Sequence, residues 1–115
     1  MIQIEFESEK ETIKSVTVSG HANYSEYGED IICAAVSSQI ISVENSLQLL
    51  IDHQLETEAD EQQGGFVKIT LPDELTRSQA HDSQVLLKHL YLAYQVLADN
   101  YPEYIQLNNH QVNQQ

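Results

Sequence analysis

Hydrophobic and polar residues alternate from the start of the chain: Ile2, Ile4 and Phe6 are interleaved with Gln3, Glu5 and Glu7. A period of two is the pattern of a strand with one buried face. Glu9-Lys10-Glu11 reads as a polar reversal, after which Val16 and Val18 alternate with Ser15, Thr17 and Ser19 up to Gly20. The first twenty residues therefore predict a β-hairpin. Residues 21–30 follow neither period and read as a loop with Gly28 as its hinge. From Asp30 the period changes. Ile32, Val36, Ile40, Val43, Leu47 and Leu50 step by four, four, three, four and three. They share one face of a helix running to about Ile51, with Asp30 as its N-cap. Burial at about 1.5–3 kcal/mol per large aliphatic side chain anchors such a helix.

The second half repeats the order. Leu55, Thr57 and Ala59 alternate with Glu56, Glu58 and Asp60, Gly64-Gly65 supplies a turn, and Val67, Ile69 and Leu71 alternate with Lys68 and Thr70 before Pro72. This predicts a second hairpin. A second helix fits between Thr76 and Asn100, with Leu86, Leu90, Ala93 and Leu97 in one row and Leu87, Tyr94 and Tyr101 alongside. Pro102 ends it, residues 104–107 suit a last short strand, and residues 108–115 read as a polar, frayed tail. The order ββαββα with a terminal strand predicts an α+β fold of two layers, two helices packed on a mainly antiparallel sheet. One domain then occupies residues 1–107 and the tail residues 108–115.

Composition narrows the function. A chain of 115 residues with 41% hydrophobic residues can build a core and is not a disordered acidic segment. Eighteen acidic residues against five Lys plus Arg give a net charge of −13. That field repels phosphate backbones, so the expectation is no direct nucleic-acid binding and a preference for a cationic partner. No apolar run reaches the roughly 18 residues of a membrane span, and residues 1–20 lack the apolar core of a signal peptide. One cysteine allows neither an internal disulfide nor a multi-cysteine zinc site. A lone thiol suits the reducing cytoplasm.

That thiol, Cys33, carries the candidate chemistry. With Asp30 as N-cap it takes the third helical position, where unpaired N–H groups and the helix dipole favour a thiolate, and its own amide is then a candidate oxyanion donor. Glu26, Glu29 and Asp30 oppose thiolate formation, so an imidazolium is needed to tip the balance. His21 is the candidate. It follows Gly20 at the end of a strand, and residues 22–30 are long enough to bring that end beside the helix start. The histidine would serve as base to the thiol and then as acid to the leaving amine. Plainer readings stand beside this one: Cys33 as a small buried hydrophobe, His21 as a turn residue, Asp30 as a cap alone and Ser37 as a small polar residue on the helix edge. A metal held by His21, Asp30 and Cys33 would need three different ligand types from one loop, so no metal or other cofactor is expected. His53, His81, His89 and His110 have no partner spacing that suggests catalysis, and Tyr91, Tyr94, Tyr101 and Tyr104 read as core or dimer contacts.

The segments Gly20-His21-Ala22 and Tyr27-Gly28-Glu29-Asp30-Ile31-Ile32-Cys33-Ala34-Ala35-Val36-Ser37 resemble the ribosomal-processing cysteine protease family, Prp. That family's motifs are Gly-His-Ala at a strand end and Gly-x-Asp-Ile-Val-Cys-Ala at a helix start; Ile32 stands where the family has valine. The resemblance extends over the whole chain in element order. It implies a Cys–His dyad with Cys33 as nucleophile and His21 as base, while Gly20, Asp30 and Ser37 match residues around it. It also implies a homodimer, a loop that moves over substrate, and as substrate the N-terminal extension of large-subunit ribosomal protein twenty-seven, a basic ribosomal protein. From the residues alone, two alternatives remain: a non-catalytic acidic module that binds the ribosome, and a redox regulator acting through its thiol.

Overall fold

The computed structural model describes residues 1–20, 27–52, 56–60 and 66–112. In chain order the elements are β1 (Ile2–Glu9), β2 (Thr12–Ser19), α1 (Tyr27–Leu50), β3 (Glu56–Asp60), β4 (Phe66–Thr70), α2 (Arg77–Asn100) and β5 (Ile105–Gln111). The strands form one mixed sheet in the order β3-β4-β2-β1-β5, antiparallel throughout except for the β1–β5 pair. The fold is α+β, as the pattern of elements predicts.

β1 shows why. Ile2, Ile4, Phe6 and Ser8 are buried on one face, while the residues between them stay at least partly open to solvent. The helices close the core with Ile32, Val36, Ile40, Val43 and Leu47 from α1 and Leu87, Leu90 and Tyr94 from α2. Phe6 meets Tyr91 edge to face, with ring centroids 4.9 Å apart. Thr76 caps α2 through a reciprocal pair: its hydroxyl accepts from the Gln79 amide, and its own amide donates to Gln79 Oε1. No helix among the described residues is long and apolar enough to cross a membrane.

Four differences from the expected pattern have local causes. In β2 the register slips between Glu7↔Ser15 and Ser8↔Ile13, making Lys14 the extra residue of a bulge. The slip restores Ile13 to the core side beside Val16 and Val18, and the Gln84 side chain holds the bulge by accepting from Ile13 N and donating to Ile13 O, both at 2.8 Å. At the end of α1, Leu50 is 73% exposed and Ile51, just past the helix, is 8% exposed, so the stripe closes on Ile51 instead of Leu50. The buried row of α2 is Ser83, Leu87, Leu90 and Tyr94, turned from the expected row so that Leu86 and Leu97 flank it. Finally, residues 108–111 are strand, not frayed tail: β5 pairs with β1 as far as Ser8↔Gln111. Their polar side chains bond across the pair, Asn108 Nδ2 to Glu5 Oε2 at 3.2 Å and Ser8 Oγ to Asn109 Oδ1 at 3.0 Å.

Ser83 is 1% exposed, and its hydroxyl is the one buried side-chain polar atom among the described residues without a hydrogen-bond partner. An unmade buried hydrogen bond costs about 1–3 kcal/mol, and alanine is the better helix former. Ser83→Ala is therefore expected to raise the melting temperature by several degrees, read by circular dichroism; a lower melting temperature would show that the hydroxyl is satisfied in solution.

Candidate active site

The antiparallel helices decide which chain segments meet. Val36 of α1 lies against Tyr94 of α2, and Ile51 lies against Gln79, so the N-terminal end of α1 sits at the C-terminal end of α2. From there residues 101–104 turn into β5, where Ile2 N donates to Tyr104 O at 2.8 Å. The start of β1 is in turn the neighbour of the end of β2, through Gln3↔Ser19. One end of the domain thus gathers the N-terminal turns of α1, with Cys33, and the strand end at Gly20.

Gly20 is fixed there by two independent facts. Its φ is +77°, in the left-handed region, and a Cβ at this position would stand 2.5 Å from the Met1 carbonyl oxygen. Only glycine lets β2 end so close to the first residue of the chain. His21, the next residue, lies outside the described residues, as does Tyr24; so do the side chains of Gly28-neighbour Glu29 and of Asp30.

α1 begins at Tyr27, earlier than expected, which makes Asp30 its fourth residue and Cys33 its seventh. Asp30 is therefore not the N-cap, and Gly28 is helical backbone instead of a loop hinge. Asp30, expected as the cap, falls inside the first turn, a position at which the helix dipole favours acidic residues in general. The Cys33 amide in turn belongs to the i→i−4 ladder and is not the free oxyanion donor that a later helix start would make it.

Cys33 is half-buried and packs against the core cluster from its edge. Ser37, one turn on, is also half-buried, while Ile31 and Ala34 are exposed. The sulfur is therefore neither sealed in hydrocarbon nor fully in water, a setting in which a thiol keeps both support and access. Behind it, Tyr94 Oη donates to Val36 O at 2.7 Å. Burial pushes the Tyr94 phenol well above its ordinary range, and the Ile40 amide pulls the other way only in part. Among the described residues no group of three or more His, Cys, Asp or Glu is placed to hold a metal ion.

The family "Cysteine protease Prp" matches residues 1–106. The chain belongs to the Prp family of cysteine proteases. It is an enzyme that hydrolyses peptide bonds. Among its relatives is the ribosomal processing cysteine protease Prp of Staphylococcus aureus, 28% identical over 96 residues, which are 84% of this chain and 86% of the relative. Among solved structures, SMU.848 from Streptococcus mutans superimposes with a TM-score of 0.89 at 36% identity, covering 97% of this chain and 96% of the other. The essential ribosomal processing protease Prp from S. aureus, in complex with a covalently linked product peptide, superimposes with a TM-score of 0.77 at 26% identity, covering 95% of this chain and 99% of that one.

Proposed function

We propose that this Prp-family protease removes the N-terminal extension of large-subunit ribosomal protein twenty-seven, a basic protein, with Cys33 as nucleophile and His21 as general base. One observation carries the assignment: a cysteine protease needs a thiol, and Cys33 is the single cysteine of the chain. Its half-buried place at the end of the domain where β2 stops supports it, as does the covalently linked product peptide on the S. aureus relative.

In this mechanism His21 takes the thiol proton, and the Cys33 sulfur attacks the carbonyl carbon of the scissile peptide. The C–N bond breaks as His21 returns the proton to the leaving amine. Water, deprotonated by the same imidazole, then hydrolyses the thioester and frees the sulfur. Gly20 holds the strand end from which His21 continues, and Asp30 and Ser37 border the nucleophile on α1. The enzyme acts as a homodimer in the cytoplasm.

The test is mass spectrometry of a peptide spanning the extension junction, incubated with the protein and quenched in acid. The expected result is one cut at the junction and an acyl adduct on the Cys33 peptide; an intact substrate, or an adduct elsewhere, would overturn the assignment. A net charge of −13 also steers a basic substrate toward the enzyme. Raising the salt concentration from low to high should therefore lower kcat/KM on the basic peptide by about tenfold and leave that on an uncharged peptide nearly constant. Equal salt responses would remove the role of the charge.

A further inference from the structure

Two side-chain hydrogen bonds tie α1 and the residue that follows it to α2 among the described residues. At the end remote from Cys33, Gln79 Nε2 donates to Ile51 O at 3.0 Å. At the Cys33 end, Tyr94 Oη donates to Val36 O at 2.7 Å. Packing alone does not explain the second bond. Tyr94 is fully buried with its ring 6.4 Å from that of Phe6, a place that phenylalanine would fill equally well without a hydroxyl to desolvate.

The geometry gives the hydroxyl a task. In an α-helix the Val36 carbonyl already accepts from the Ile40 amide, and the phenol takes its second lone pair from the side. The bond therefore clamps α1 laterally, one turn after Cys33, without breaking the helix. It resists both rotation of α1 about its axis and sliding along α2, the two motions that would carry the sulfur away from its partners. Burial holds the phenol protonated, so the clamp donates at every pH at which a cysteine protease works.

We propose that Tyr94 is a positioning residue for Cys33: its hydroxyl holds the 33–36 turn of α1 against α2 and so fixes the sulfur for attack. This rests on the reading of Cys33 as nucleophile. Displacement of a reacting group by about 1 Å costs up to about a hundredfold in rate. Tyr94→Phe, which keeps the ring, is expected to lower kcat about tenfold with KM unchanged. The pH profile of Cys33 alkylation by iodoacetamide, read by peptide mass, should move toward that of an ordinary thiol.

Gln79→Ala is the comparator, since it cuts the tether at the far end of α1 and removes a capping contact. It should lower the melting temperature at least as much as Tyr94→Phe while keeping kcat and the alkylation profile. Wild-type kcat and alkylation in Tyr94→Phe, or an equal loss of kcat in Gln79→Ala, would overturn the proposal. The alkylation readout follows the Cys33 sulfur itself, whichever residue cuts the peptide. A failure of the positioning role is therefore distinct from a failure of the nucleophile assignment.

Discussion

Cys33→Ala is expected to bring cleavage of the extension peptide to background, a fall on the order of 10⁵–10⁶ in kcat, while the protein stays folded. The size follows from the chemistry: without the sulfur no thioester forms, and no second cysteine exists to replace it. The persistence of the fold follows from the packing. Cys33 touches the core only at its edge, two alanines follow it on the same helix, and loss of one half-buried sulfur costs about 1 kcal/mol. The measurement is single-turnover cleavage by mass spectrometry, with circular dichroism as the check on folding. Serine at this position would be less decisive, because its hydroxyl can retain trace activity. His21→Ala should cost about 10²–10⁴ in rate, the range of a lost general base. Residual cleavage by Cys33→Ala at more than a thousandth of the wild-type rate would move the chemistry away from the thiol.

Gly20→Ala carries the second large effect. The left-handed backbone at φ +77° costs an L-residue about 1–2 kcal/mol, and the new methyl would press on the Met1 carbonyl oxygen. Relief requires either the start of β1 or the end of β2 to move, at a further cost. The expected sum of roughly 2–4 kcal/mol corresponds to a melting temperature lower by about 10–20 °C. Activity should fall more than stability does, because the residue that shifts is joined directly to His21. At a temperature where the variant remains folded, kcat is expected to be lower by at least about tenfold. A variant that melts and turns over like the wild type would show that the strand end has slack to spare.

Much of this architecture is legible in the sequence because burial writes a period into it. β1, the α1 stripe from Ile32 to Leu47 and the position of α2 all follow from that rule. The exceptions arise where another interaction overrides burial. The β2 bulge hides Ile13 from a strict period of two, and the Gln84 amide that makes the bulge affordable to the fold lies 71 residues away. β5 beyond Leu107 carries almost no apolar signal, since Asn108, Asn109 and His110 are held by backbone pairing and by bonds to Glu5 and Ser8. α1 starts three residues before the expected cap at Asp30, because an acidic residue suits the first turn of a helix as well as its cap. At the site, the motif singles out Gly20 and Cys33, and the left-handed backbone and close Met1 carbonyl at Gly20 supply a physical reason for the first. The hydroxyl of Tyr94 left only a faint trace: a tyrosine in a buried row where phenylalanine would pack as well.

The pairing of β1 with β5 has a consequence for synthesis. Ile2 lies opposite Ile105, so at about 5–20 residues per second a ribosome makes the first strand roughly 5–20 s before its outer partner exists. Throughout that interval the outer edge of the nascent strand has no β5 to pair with. The charges of this strand, Glu5, Glu7 and Glu9, then act as gatekeepers against pairing with another chain. The acidity of this strand thus guards the unfinished polypeptide before it has any substrate to attract.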